Sequence, residues 1–377
     1  MNQRTQRFVI SLIAVLAIAA TACVLWPRTP HGAHRPQNPA LPLPYQVHEV
    51  SFGNTPVIPR LSGTLTIPAT PGPHPAIVLI PGSGEVLRDG AMFGHRFYLV
   101  LADALTRRGF VVLRSDKRGL GRSGGDFATA TTHDFAADIG AATAFLRKRP
   151  DIDGRRIGLV GHSEGALVGA MVAAKNPGIA FLVLMAGNGI PAGDMLLART
   201  RHAAGADAAG DATRRELALQ RAVIAAATVP ATAQERETKV RKLYQDARAQ
   251  YGRPYSEDDI APFLSPWMRT LLAINPQAWL QQIRCPVLAL VGDKDRVVPA
   301  PENLPALKKA LAANPAAEVR LIPGVNHFFQ TARSGEFAEM ATIEETMSPQ
   351  VMELIGAWAA NQLSAKESRG ETPFRAH

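Results

Sequence analysis

The sequence predicts an α/β protein with a mostly parallel central sheet and helices on both faces. Six short apolar runs of strand length recur along the chain, at 76–80, 110–113, 157–160, 180–184, 286–291 and 319–322. Amphipathic stretches of helix length separate most of these runs, at 96–108, 133–147 and 166–175. Buried strands that alternate with helices form βαβ units. A chain of 377 residues, 46% of them hydrophobic, is long enough to enclose such a sheet.

The remaining elements can be placed around that sheet in chain order. The segments 46–53 and 60–68 alternate polar and apolar residues, which predicts an antiparallel pair of strands at one edge. Residues 348–363 fit a final helix, and residues 367–377 form a polar tail. The predicted α/β domain therefore extends over residues 45–366.

One interval interrupts the alternation of strands and helices. The residues between the apolar runs at 180–184 and 286–291 are rich in Ala, Arg, Glu and Gln. A structureless loop of that length is unusual inside a domain, so we expect a helical insertion at about 190–280. Such an insertion would act as a lid that shapes the substrate pocket.

The first 29 residues predict export from the cytoplasm. Arg4 and Arg7 precede an uncharged apolar stretch at 8–26, an arrangement typical of a targeting segment. Three outcomes stay open: a cleaved signal peptide, a lipoprotein attached through Cys23, and an uncleaved membrane anchor. Each puts the rest of the chain in the periplasm or on the outward side of the membrane, beyond a Pro-rich tether at 30–44.

Charge and cysteine content exclude several classes of function. The formal net charge is +9, but the basic residues are dispersed, so we expect no nucleic-acid partner. The two cysteines, Cys23 and Cys285, give no disulfide framework and no zinc-site spacing with histidine. The sequence leaves the oligomeric state open.

The strongest catalytic signal is Gly-His-Ser-Glu-Gly at 161–165. This G-x-S-x-G motif follows a short apolar run and precedes a helix rich in small residues, which is the strand-turn-helix context of a nucleophile elbow. Glycines permit the sharp turn that exposes the serine hydroxyl above the sheet. We therefore predict that Ser163 is a nucleophile.

A serine hydroxyl needs a base to remove its proton and an acid to orient that base. Both residue types follow the last two apolar runs, where side chains from separate strands converge at the carboxyl edge of a sheet. We predict that His327 is the general acid and base and that Asp295 orients it, with Asp293 as the competing acid.

Acyl transfer also requires hydrogen-bond donors for the tetrahedral oxyanion. The backbone N–H of Glu164, the residue after the nucleophile, is the first predicted donor. The second comes from the Gly-rich loop at 79–85, where Ser83 is the preferred residue and Gly84 the alternative. No Gly-Lys-Ser/Thr follows this loop, which argues against a nucleotide site.

These residues together resemble the α/β-hydrolase superfamily, whose order of nucleophile, acid and base they share. The resemblance extends over residues 46–363 and includes the Asp-Lys-Arg-Gly turn at 116–119. The motifs at 81–84, 88–90, 265–267 and 323–330 look like those of bacterial esterase-like or serine-aminopeptidase-like hydrolases. The resemblance implies the α/β-hydrolase fold, and serine at position 163 disfavours the dienelactone hydrolase, dehalogenase and epoxide hydrolase chemistries.

The predicted activity is hydrolysis of carboxylic esters with small or medium acyl chains, through an acyl-enzyme on Ser163. Such chemistry needs no metal and no organic cofactor. The alternatives are amide or peptide hydrolysis, thioester hydrolysis, and a non-catalytic binding protein of the same fold. Four residues are candidates for lining the pocket: Phe93, Trp267, Met268 and Phe328.

Overall fold

A computed structural model describes residues 34–252 and 254–368 of the protein. Its centre is an eight-stranded sheet. The strands are β1 (Tyr45–Gly53), β2 (Arg60–Pro68), β3 (His74–Ile80), β6 (Val111–Ser115), β7 (Ile152–His162), β8 (Leu182–Met185), β9 (Val287–Gly292) and β10 (Ala317–Ile322). Their order across the sheet is β1-β2-β6-β3-β7-β8-β9-β10. The short strands β4 (Ala91–Met92) and β5 (His95–Arg96) pair separately.

The sheet is antiparallel at one edge and parallel elsewhere. Strand β1 pairs antiparallel with β2, and β2 pairs antiparallel with β6. From β6 to β10 every neighbouring pair is parallel. The carboxyl ends of these parallel strands therefore lie along one edge, where loops from separate strands can form a common site.

Helices cover both faces of the sheet, which confirms the predicted fold class. The helices outside the insertion are α1 (Phe97–Arg107), α2 (Thr132–Arg147), α3 (Glu164–Lys175), α10 (Ala300–Leu311) and α11 (Pro349–Ser368). Alternate residues of β3 contact opposite layers, because successive side chains of a strand point to opposite faces. Val78 and Ile80 belong to an apolar cluster that includes residues of α2, α3 and α10, whereas Ile77 and Leu79 belong to a second cluster that includes residues of α1 and α11.

The insertion between β8 and β9 is helical. In the described part of the chain it contains α4 (Ala192–Ala204), α5 (Asp211–Thr228), α6 (Ala233–Tyr251), α7 (Glu257–Leu264), α8 (Pro266–Ala273) and α9 (Pro276–Leu280). These helices enclose a third apolar cluster, which includes Val223, Val240 and Met268. Leu167 and Met171 of α3 belong to the same cluster, so the insertion packs on the helix that begins at the nucleophile elbow.

The N-terminal part of the chain is described from residue 34 onward. Residues 34–44 form neither helix nor strand, but two of their side chains bind the domain. Arg35 donates to the carbonyl oxygen of Phe93, and Gln37 donates to that of Met347. The predicted targeting segment at 1–29 lies outside the described residues. Among the helices of residues 34–252 and 254–368, none is long and apolar enough to cross a bilayer.

Candidate active site

Ser163 occupies a strained turn between β7 and α3. Its backbone has φ 56° and ψ −121°, a region that side-chain-bearing residues rarely adopt. The two motif glycines make this turn possible. A Cβ at Gly161 would lie 2.1 Å from the carbonyl oxygen of Gly165, and a Cβ at Gly165 would lie 2.2 Å from that of Ile80. The elbow therefore requires glycine on both sides of the serine.

Asp295 and His327 form a buried pair at the carboxyl edge of the sheet. Asp295 follows β9 and His327 follows β10, and Asp295 Oδ2 lies 2.8 Å from His327 Nδ1. The other oxygen of Asp295 accepts hydrogen bonds from the backbone N–H groups of Val297 and Val298. Both side chains are almost completely buried. This arrangement fixes which ring nitrogen of His327 faces the carboxylate.

Asp293, the competing acid, has a different role. Its side chain is exposed and accepts a hydrogen bond from the backbone N–H of Gly324 at 2.6 Å. Asp293 therefore holds the turn that follows β10, and the structure brings Asp295 rather than Asp293 into contact with His327.

His162 connects the nucleophile elbow to the loop of His327. The two imidazole rings lie with their centroids 4.7 Å apart, and His162 Nε2 is 2.9 Å from the carbonyl oxygen of His327. Because His162 directly precedes Ser163, this contact places the elbow beside the Asp295–His327 pair. Among the described residues, no hydrogen bond joins the Ser163 hydroxyl to the His327 ring.

Burial and the neighbouring His327 lower the pKa of His162 to about 3. The ring is therefore neutral at ordinary pH. Its second nitrogen, Nδ1, lies 3.2 Å from the hydroxyl of Tyr98. No sequence motif predicts a role for His162 or Tyr98, and the one sequence signal is a titratable residue next to the nucleophile.

The loop predicted to stabilise the oxyanion lies directly beside Ser163. A Cβ placed on Gly82 would lie 3.2 Å from Cβ of Ser163. The N–H of Gly82 donates to the Tyr98 hydroxyl at 3.0 Å, so this group is already engaged. The next residues, Ser83 and Gly84, remain the predicted donors in this loop.

Glu164, the other predicted donor, is the first residue of α3. A backbone N–H in the first turn of a helix has no acceptor within the helix, which leaves this group available for an oxyanion. Its side chain is buried, and Oε1 accepts hydrogen bonds of 2.8 Å from Thr132 Oγ1 and Trp267 Nε1. Trp267 belongs to α8, so this contact joins the insertion to the elbow.

The candidate pocket residues occupy different surroundings. Phe328 stacks on Phe97 with ring centroids 4.4 Å apart and lies against the His162 ring. Met268 is buried in the apolar core of the insertion. Phe93 packs edge-on against Phe337. Of these residues, Phe328 contacts the His162–His327 region directly.

The motif residues Arg88 and Asp116 form an ion pair beside the predicted oxyanion loop. Arg88 Nε and Nη2 donate to the two oxygens of Asp116 at 3.0 and 2.6 Å, and the backbone N–H of Arg88 donates to the same carboxylate. Burial alone would raise the pKa of Asp116, but these hydrogen bonds hold it below its ordinary value. This pair ties the turn after β6 to the chain that follows the oxyanion loop.

In residues 34–252 and 254–368, no group of three or more His, Cys, Asp or Glu side chains is arranged to hold a metal ion.

Comparison with known proteins agrees with the fold. Residues 77–340 match the alpha/beta hydrolase family, and the chain belongs to this family. It is similar to Esterase EstD of Thermotoga maritima, with 30% identity over 135 residues that cover 36% of this chain and 32% of EstD. The chain thus spans about a third of the length of that curated relative.

Solved structures share the fold at low sequence identity. The esterase Pf2001 of Pyrococcus furiosus aligns with a TM-score of 0.50 at 17% identity, covering 85% of this chain and 94% of that one. The hypothetical protein PA2218 of Pseudomonas aeruginosa aligns with a TM-score of 0.51 at 18% identity, covering 81% and 94% of the two chains. These similarities concern the fold.

Proposed function

We propose that this protein is a serine hydrolase that cleaves carboxylic esters of small or medium acyl chains. The observation that carries the proposal is the buried Asp295–His327 pair at 2.8 Å, beside the strained elbow that presents Ser163. A serine becomes a competent nucleophile when an oriented imidazole can take its proton. The partial match to Esterase EstD supports esters as the substrate class.

The proposed reaction proceeds in two steps through an acyl-enzyme. Ser163 Oγ attacks the acyl carbon while His327 takes its proton, and Asp295 stabilises the imidazolium. The backbone N–H groups of Ser83 and Glu164 donate to the oxyanion. His327 then protonates the leaving alkoxide, and the alcohol departs. In the second step His327 takes a proton from a water molecule that attacks the acyl carbon. His327 then returns this proton to Ser163 Oγ as the bond between Oγ and the acyl carbon breaks, which releases the carboxylic acid and restores Ser163.

A substrate panel tests this proposal. Purified full-length protein in detergent is assayed on p-nitrophenyl acetate, butyrate, octanoate and palmitate, and on aminoacyl p-nitroanilides, with Ser163→Ala as the control. We expect turnover of the shorter esters that Ser163→Ala abolishes. Cleavage of the anilides alone would replace the esterase by a peptidase of the same triad. A chain that cleaves neither and is not labelled by a fluorophosphonate at Ser163 would refute the hydrolase proposal.

We also propose that residues 1–29 export the chain and leave it periplasmic or attached to the outward side of the membrane. The support is the basic start and the uncharged stretch at 8–26. Cell fractionation of the parent and of Cys23→Ala tests it. A parent found only in the cytosol would refute export, and release of Cys23→Ala from the membrane would identify a lipid anchor at that residue.

A further inference from the structure

A buried lysine lies beneath the predicted oxyanion loop. Lys117 follows β6, and only 8% of its surface is exposed. Its ammonium donates to the carbonyl oxygen of Gly82 at 2.6 Å and to that of Gly84 at 3.2 Å. These two carbonyl groups belong to the residues on either side of Ser83. Burial of an ammonium is unfavourable unless such partners compensate for its lost hydration. The buried position of Lys117 therefore depends on these two carbonyl groups.

The charge partner of Lys117 is the residue that follows the nucleophile. Glu164 Oε2 lies 3.9 Å from Lys117 Nζ and has no hydrogen-bond partner among the described residues. The two groups line a cavity of about 20 Å³, which is room for about one water molecule. Both side chains are almost completely buried, so the pair acts through the groups that it holds.

The geometry of the peptide unit connects Lys117 to the oxyanion. The Gly82–Ser83 peptide is trans, so its carbonyl and its N–H point in opposite directions. Because Lys117 holds the Gly82 carbonyl, the Ser83 N–H points away from the lysine. Glycines flank Ser83, and Gly84 has φ +87°. Glycine backbones rotate easily, so this peptide needs an anchor to keep its N–H in place.

We propose that Lys117 is a positioning residue that anchors the Gly82–Ser83 and Gly84–Glu85 peptides, so that the Ser83 N–H donates to the oxyanion formed at Ser163. Glu164 balances the charge of the lysine through its side chain and supplies the second donor through its backbone. One buried ion pair thereby sets the relative positions of both donors. This inference rests on the proposed function, because an oxyanion forms only if Ser163 attacks an acyl carbon.

The test removes the ammonium without leaving a buried charge. Lys117→Met alone leaves Glu164 unpaired and can prevent folding, so the double variant Lys117→Met/Glu164→Gln is measured beside it. The matched control is Arg118→Met/Asp138→Asn, which neutralises the neighbouring buried pair of Arg118 and Asp138. The parent and all variants are full-length proteins. Their kcat and KM are measured with p-nitrophenyl butyrate, and their affinity is measured for butylboronic acid, whose adduct with Ser163 is a tetrahedral anion.

The double variant is expected to lose on the order of 10- to 100-fold in kcat with little change in KM, because only the transition state carries the oxyanion. Boronate affinity should fall by a similar factor, and the control should retain both. If the parent is active, two results would overturn this inference alone. In the first, the double variant keeps its kcat and its boronate affinity. In the second, the control variant loses as much kcat and boronate affinity as the double variant does. A parent without Ser163-dependent ester hydrolysis would overturn the proposed function together with it.

Discussion

His162 Nε2 and the backbone carbonyl oxygen of His327 form a hydrogen bond of 2.9 Å. A carbonyl oxygen only accepts, so Nε2 carries the proton of this neutral ring and Nδ1 is an acceptor. The Tyr98 hydroxyl must therefore donate to Nδ1, and it accepts the N–H of Gly82. A directed chain of hydrogen bonds thus runs from the oxyanion loop through Tyr98 and His162 to the loop of His327.

Replacement of Tyr98 by Phe tests this chain. The variant leaves the Gly82 N–H and His162 Nδ1 buried without partners, which should lower the free energy of unfolding by about 1–3 kcal/mol. Urea unfolding followed by circular dichroism measures the change. Tyr45→Phe is the matched control, because the Tyr45 hydroxyl bonds Asp103 in a partly exposed position. A loss in the control as large as that in Tyr98→Phe would contradict the argument.

Neutral His162 should make the protein less stable in acid. Burial and His327 lower its pKa to about 3, whereas an unfolded imidazole titrates near 6.5. Between these values the unfolded chain binds one more proton, so the free energy of unfolding falls as the pH falls, by about 1.4 kcal/mol per pH unit. His162→Gln should flatten this slope by that amount between pH 6 and pH 4.

Urea unfolding at several pH values measures the two slopes. The variant should keep some dependence on pH, since burial also lowers the pKa of His95 to about 4, and that histidine is unchanged. The comparison uses the slopes and not the absolute stabilities, because the substitution also removes packing. Parallel profiles for parent and variant would show that His162 does not carry this dependence.

The sequence predicts those parts of the site that depend on local pattern. Apolar runs predict the parallel strands, and the Gly-His-Ser-Glu-Gly motif predicts a turn whose backbone at Ser163 has φ 56°. Contacts between distant segments are different. Lys117 and Gly82, which form a hydrogen bond, are 35 positions apart in the sequence, and Tyr98 and His162 are 64 positions apart. No local periodicity of the sequence predicts such contacts. The choice of the acid between Asp293 and Asp295 likewise depends on which of the two contacts His327 in the loop after β10.

Substitution of the two aspartates after β9 separates their roles. Asp295→Asn keeps the shape of the side chain but removes the charge that stabilises the His327 imidazolium, so we expect a loss on the order of 10³- to 10⁴-fold in kcat. Asp293→Asn keeps an acceptor for the Gly324 N–H in an exposed turn and should change kcat by less than about threefold. Steady-state hydrolysis of p-nitrophenyl butyrate gives both values. A larger loss in Asp293→Asn would reverse the assignment.

Two helical glycines should respond in opposite ways to the same substitution. A Cβ at Gly165 in α3 would lie 2.2 Å from the carbonyl oxygen of Ile80 and 2.7 Å from that of Pro81. Gly165→Ala must therefore displace the start of the oxyanion loop, and it should cost about 3 kcal/mol or more of stability.

A Cβ at Gly140 in α2 would contact no atom within 4 Å. Gly140→Ala should stabilise the protein by about 0.5–1 kcal/mol, because alanine restricts the unfolded chain. Thermal and urea unfolding of both variants measure these changes, and a stable, fully active Gly165→Ala would show that the elbow does not require glycine on its helical side.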